Sequence, residues 1–346
     1  MRKLSLFILI FPFIFSLFSS CVENGDQIKE IHNSMKGKWE SDLSKSVHLS
    51  LQLTLGGLEG EETQIFQSPR SIAVNEKGDI FVLDQRANSI YKFDERGQFL
   101  ATIGREEQGP GEFQIPYDIV FKKSTLYVAD FGNRRVQSFD EKGKYISDFQ
   151  VRGNFVKIAV DSKGNIYLPY YTDQFLVHEY SERGELLNSF VDTEIAPMKG
   201  DPRLQRAYNS VNFAVDHKDN IYIAYRFQNR IQKYNSHGEL LIEFNRELPF
   251  KPTPIHMFQT PSGGSGVRGD EIYSDISVGK NDLIYVLLGK NYPDKGNIID
   301  RYNTQGEYLD SFWTEVQCYR IMIDSDKLYL LDPFDLVKLY RYSMTH

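Results

Sequence analysis

Six polar residues each stand directly before an apolar run: Ser71, Asp118, Lys157, Asn212, Asp275 and Arg320. Two chemistries are open to such a set. Asp118, Asn212 and Asp275 carry the oxygen donors that a hard cation such as Ca2+ collects. Lys157 and Arg320, if held at the same level, would repel a cation and pair with the carboxylates instead. Arranged as a ring in chain order, the six place Asp118 beside Lys157 and Asp275 beside Arg320, two ion pairs on opposite sides. Such a ring either fills its own channel with paired polar groups or binds a polar or zwitterionic ligand.

Other chemistry is scarce. The chain has no GxSxG elbow, no Ser/His/Asp ordering, no HExxH or HxxxH spacing and no CxxC. His217 ("DHKDN") and His237 ("SHGE") fall in turn sequences. His256 lies in a long loop and stays as a candidate. The chain carries 40 basic and 47 acidic residues, a net charge of −7. That balance lacks the basic stripe that nucleic-acid binding requires.

The elements that would hold the six residues recur. "DIFVLDQRANSIYKFDERG" places Phe81 and Gly97 16 apart, and "TLYVADFGNRRVQSFDEKG" places Tyr127 and Gly143 16 apart. Tyr167 and Gly184, Tyr222 and Gly238, and Tyr285 and Gly306 repeat the pattern with spacings of 17, 16 and 21. Tyr329 opens a sixth copy that ends before its glycine. Each copy holds an apolar strand, an aromatic strand, an alternating strand and a strand after the Gly turn. Four short strands repeated at 40–60 residues describe the blades of a β-propeller. The sixth copy lacks its outer strand. "SVHLSLQLTLG" (46–56) alternates strictly and would supply it, closing the ring and covering the edge.

The stretches 69–100 and 109–146 resemble the NHL repeat, the second, "GPGEFQIPYDIVFKKSTLYVADFGNRRVQSFDEKGKYI", most closely. Residues 46–346 as a whole resemble a six-bladed propeller of the NHL/TolB-like type, an all-β fold of four-stranded antiparallel blades. The resemblance extends to the six-bladed propeller lipoproteins of Bacteroidota envelopes. It implies little about activity, because fold alone does not carry function. Gluconolactonase-like six-bladed propellers supply an enzyme alternative, a calcium-dependent lactonase or esterase using Asp118, Asn212 and Asp275 as metal ligands.

The chain opens "MRKLSLFILIFPFIFSLFSSC". Arg2 and Lys3 precede an apolar run of 15 residues, Leu4 to Phe18, the length of a signal-peptide core and short of a membrane span. Phe18-Ser19-Ser20-Cys21 resembles the lipobox of bacterial lipoproteins, which implies cleavage after residue 20 and diacylglyceryl on Cys21. The charge then becomes about −9 and Cys318 is left as the single thiol. Residues 21–45 read as the lipidated cysteine and a flexible tether, and 46–346 as the propeller. The expected address is the cell envelope, with membrane contact through the lipid.

Propellers bind at one end of the channel, on the loops that join blades and middle strands. The two long blade-joining loops, 192–209 and 246–271, project from one face in this reading. Arg134, Tyr170, Tyr171, Tyr225, Arg226, His256 and Tyr292 are candidate contacts on that face, able to stack on glycans or peptides. The expected function is a monomeric, non-catalytic envelope module that binds a protein, peptide or glycan, without a cofactor and without nucleic acid. The hydrolase with Ca2+ stays as the alternative.

Overall fold

In the computed structural model, the residues described are 28–33, 47–56, 65–171, 173–194, 196, 201–260, 263–292, 296–332 and 336–344. The leader and Cys21 lie outside them. Six four-stranded antiparallel sheets form the blades, at 69–103, 116–150, 159–192, 211–246, 273–313 and 320–344 with 47–55. The last sheet has the order predicted from the missing outer strand: Val47–Leu55 pairs antiparallel with Val337–Met344, outside Lys327–Leu331 and Arg320–Asp324.

The repeated aromatic explains how the blades cohere. Phe81, Tyr127, Tyr167, Tyr222, Tyr285 and Tyr329 are all 3% exposed or less. Each joins a different one of six apolar clusters, and each cluster lies between one blade and the next. The core is therefore a ring of inter-blade layers, which lets 346 residues fold without one oversized centre. The repeated glycine has a second cause. Gly143 has φ of 82°, and a Cβ there would meet Ile103 Cγ1 of the preceding blade at 2.4 Å. Only glycine accepts that backbone and that approach together.

Two segments depart from the sequence reading. Residues 21–45 are expected to be a flexible tether, yet Lys29–Asn33 is a strand, paired in parallel with Leu240–Arg246 on the outer edge of blade four. Ile31 packs against the apolar cluster between blades four and five. Asn33 Nδ2 donates to the carbonyls of Asn245 at 2.8 Å and Gly306 at 3.1 Å, and its Oδ1 accepts from Tyr308 N at 3.1 Å. The long loops also carry structure. Residues 202–208 form a short helix capped by Asp201. His256–Gln259 and Ser265–Arg268 form a hairpin. Arg203 Nη1 donates to Ser265 O at 2.7 Å, so the two loops meet.

Candidate functional site at the channel mouth

The inner strands place the polar ring at the end of the channel where each blade begins. Asp118 is 2% exposed at its side chain and Asp275 5%. Arg320 Nη2 bonds to Asp118 Oδ1. Ser71 Oγ donates to that same oxygen at 2.6 Å, and the Ile119 amide at 2.9 Å. The Ile158 amide donates to Asp118 Oδ2 at 3.2 Å. Asp275 Oδ2 accepts from the Ile321 amide at 2.9 Å and stands 3.9 Å from Arg320 Nε. Lys157 Nζ lies 3.6 Å from Asp275 Oδ1.

Of the two expected neighbour pairs, Asp275 with Arg320 is in contact, at 3.9 Å, while Asp118 with Lys157 is replaced by pairs that reach across the ring. Asp118 pairs with Arg320, and Asp275 pairs with both Lys157 and Arg320. Small residues allow this. Arg320 reaches past Ser71, and Lys157 past Asn212, because Ser and Asn leave the centre open to long neighbours. Asn212 is turned aside, its Nδ2 donating to Tyr273 O at 3.2 Å, while its Oδ1 is buried without a hydrogen bond.

Burial, and then the neighbouring Arg320, hold the Lys157 ammonium below its ordinary range. Burial pulls Arg320 the same way, but Asp118 and Asp275 outweigh it and the guanidinium rises. Both carboxylates are thus committed to fixed cations of the protein. Such a set does not fit a hard dication, which requires several oxygens free to converge. Among the described residues, no group of three or more His, Cys, Asp or Glu side chains is placed to hold a metal.

The ring divides the channel. Toward the far face lies a cavity of about 210 Å3, walled by apolar residues such as Val120, Phe213 and Met322 and roofed by the charged ring. On the near side lies a second cavity of about 320 Å3. Its wall includes Lys157, Asn212 and Arg320 of the ring and a second tier one residue earlier: Arg70, Tyr117, Val156, Ser274 and Tyr319. Arg226 and Glu271 complete it, joined by an ion pair of 2.6 Å. Burial lowers Arg226 but Glu271 more than restores it. Arg70 lies 5.7 Å over the Tyr117 ring and bonds at 3.4 Å to Gln85. Sequence reasoning missed this upper tier, although the repeat register marks it: each member precedes a ring residue.

The candidate face-loop residues divide. Arg226 is in the mouth wall. Arg134 is exposed at the turn before Arg135–Asp140, with φ of 54°. His256 sits in the hairpin, with Nδ1 at 3.0 Å from Pro254 O. Tyr292 pairs with Gly296 at the end of the Ile284–Tyr292 strand.

Tyr170, Tyr171 and Tyr225 are not surface contacts, being 3%, 5% and 1% exposed. The Tyr170 hydroxyl bonds to that of Tyr180 at 2.8 Å. The Tyr225 hydroxyl bonds to Gln232 at 3.0 Å, with Arg230 stacked 3.9 Å from its ring. Tyr171 is packed between blades three and four, and its hydroxyl is buried without a hydrogen bond. Tyr225 ends the strand Ile221–Tyr225, and Tyr170 and Tyr171 directly follow Ile166–Pro169, where inter-blade packing claims all three.

Comparison with known proteins agrees with the architecture. The DUF5128 family, described as a 6-bladed beta-propeller, matches residues 40–259. A probable peptidyl-alpha-hydroxyglycine alpha-amidating lyase of Caenorhabditis elegans is 40% identical over 85 residues, 23% of this chain and 24% of that protein. Human NHL repeat-containing protein 3 is 31% identical over 80 residues, 22% of this chain and 23% of that protein. The chain thus spans about a quarter of the length of these relatives. A putative exported protein of Bacteroides fragilis superposes with a TM-score of 0.57 at 12% identity, covering 92% of this chain and 100% of its own. That likeness concerns the fold alone.

Proposed function

Since the chain belongs to the DUF5128 family of 6-bladed beta-propellers, we propose that it acts as a rigid, non-catalytic binding module whose site is the channel mouth. It binds a peptide or glycan group that carries a carboxylate. The observation that carries this reading is the composition of the 320 Å3 cavity. Four cations, Arg70, Lys157, Arg226 and Arg320, meet three carboxylates, Glu271 in the wall and Asp118 and Asp275 beneath it. The mouth of an acidic protein therefore has one surplus positive charge. Lys157 has its nearest carboxylate oxygen at 3.6 Å, beyond a good hydrogen bond, so its donors are available to a ligand. Tyr117 and Tyr319 supply ring surface beside these donors. The volume suits one sugar ring or a peptide end rather than a long chain.

In this reading the protein is a monomer anchored in the cell envelope through diacylglyceryl on Cys21. The support is the 15-residue apolar run ahead of Ser19-Ser20-Cys21. Among the described residues, no helix is long and apolar enough to cross a membrane.

The alternative, a calcium-dependent lactonase or esterase, draws support from the free Oδ1 of Asn212. Against it, Arg320 and Lys157 occupy the positions beside Asp118 and Asp275 that the ion would take. Thermal unfolding in EDTA, in excess calcium, and with matched charged and neutral ligands separates the two. Binding to the folded state alone raises the midpoint. The binding module predicts a rise with carboxylate ligands and none with calcium. A calcium-dependent rise lost in Asp118→Ala would favour the hydrolase.

A further inference from the structure

We propose that the face opposite the mouth is a membrane-seating surface, so that the propeller rests on the lipid with its mouth pointing away. The proposal rests on the lipid anchor at Cys21. Its geometric ground is independent of that reading.

The face opposite the mouth carries the turns that precede each outer strand. Phe99, Leu100, Ile146, Leu186, Leu187 and Leu241 stand at the starts of those strands in blades one to four, 38–57% exposed. They form an apolar arc around one rim rather than a patch on one side. An arc of that shape contacts a flat surface when the disc lies face down. Some charges of the turns inside the rim are paired: Lys77 pairs with Glu141, and Lys280 pairs with Asp324 at 2.6 Å. The same turns also carry exposed charges of both signs, such as Glu95, Arg96, Lys142 and Arg183, so the contact combines an apolar arc with side chains suited to the headgroup level.

The parallel strand fixes the direction of entry. Lys29 is opposite Ile242 and Asn33 opposite Arg246, so the segment climbs from the rim toward the mouth. Ile28, 51% exposed, therefore lies at the apolar rim. It stands seven residues after Cys21, a reach of at most about 25 Å. A lipid on Cys21 would hold this rim, not the mouth, next to the bilayer. A mouth facing outward is also the orientation in which an envelope ligand can enter.

The test uses full-length protein purified from membranes and reconstituted in phosphatidylethanolamine/phosphatidylglycerol vesicles containing doxyl-labelled lipid. Single cysteines are introduced as Leu187→Cys at the rim and Arg134→Cys at the mouth side, each carrying a fluorophore. Cys318 is buried and its thiol is pushed up by burial, so it stays unlabelled. The mass of the Cys21 peptide is measured on the same samples.

With Cys21 lipidated, the proposal predicts that doxyl lipid quenches the Leu187→Cys probe at least about threefold more than the Arg134→Cys probe. Equal quenching, or stronger quenching at position 134, overturns the seating while leaving the anchor intact. A rim probe shielded from doxyl lipid but shifted to the blue reports a protein partner or second copy, and also overturns it. An unmodified Cys21 removes the anchor and the proposal with it.

Discussion

Arg320 of blade six bonds to Asp118 of blade two, passing over Ser71 of the blade between them, which donates to the same carboxylate oxygen at 2.6 Å. Lys157 makes the corresponding reach over Asn212 to Asp275, at 3.6 Å. These diagonals tie blades that are not neighbours in the ring. They also convert a list of alternating charges into a floor beneath an open cavity.

That floor should be costly to break from one side. Asp118→Ala removes the partner of Arg320 and the acceptor of the Ile119 and Ile158 amides. A loss of about 3–5 kcal/mol in urea unfolding is expected, because the largely buried Arg320 loses its closest partner and keeps only Asp275, 3.9 Å from its Nε. Asp118→Ala with Arg320→Met should cost clearly less than the two single changes summed. Simple additivity would show that the two residues do not act as a pair.

A second weld joins blades four and five. Arg246 Nε and Nη2 donate to the two oxygens of Asp300 at 2.6 and 2.8 Å, and Ser311 Oγ adds a third bond at 2.6 Å. Arg246 is 1% exposed and Asp300 0%. Arg246→Met strands the carboxylate and should lower stability by about 3–5 kcal/mol. A change under about 1 kcal/mol, the size expected of a surface pair, would contradict the geometry.

His178 gives the pH dependence. It stacks 4.3 Å from the Tyr170 ring, with Nε2 at 3.1 Å from Phe175 O and Nδ1 at 2.9 Å from Ser189 Oγ. Burial lowers its pKa from 6.5, and Asp173 only partly offsets this. The folded state thus binds the proton less tightly than the unfolded chain. Its contribution is intact above pH 6.5 and is lost as pH falls from 6.5 through the lowered value. Urea midpoints at pH 7.5 and 5.5 should differ less in His178→Phe than in the parent. An unchanged difference would place the pH dependence elsewhere.

The blade count, the closing strand and the level of the ring residues were legible in the sequence, because inter-blade packing forces one aromatic into every blade and a glycine into the first five. Phe81 and Gly97 stand for the first five copies in this respect, and Tyr329 carries the aromatic alone in the sixth. The diagonals were not legible, since a repeat gives the level of a residue but not how far its side chain reaches across a channel. Tyr170 and Tyr225 misled for a related reason: a loop-adjacent aromatic in a strand-rich fold is claimed by the next blade. The Lys29–Asn33 strand was silent, as "KEIHN" has one apolar residue and its partner edge is remote in sequence.

That strand supports a prediction of its own. Ile31 is opposite Phe244 in the parallel ladder, and proline there removes an amide and distorts the pairing. Ile31→Pro should cost about 1–2 kcal/mol. It should also abolish hydrogen-exchange protection across residues 29–33 without altering the inner strands. Exchange that is already fast in the parent would mean that the segment does not dock.

The central claim concerns the mouth, and calorimetric titration tests it most directly. The probes are matched pairs: oligogalacturonate against its methyl ester, and a tripeptide with a free carboxyl terminus against its amide. Binding by one or both carboxylate members, weakened at least about tenfold in Lys157→Met and Arg226→Gln and reduced by added salt, is the predicted result. Neutral members binding as well as the charged ones, or neither member of either pair binding in calcium-free buffer, would contradict the account.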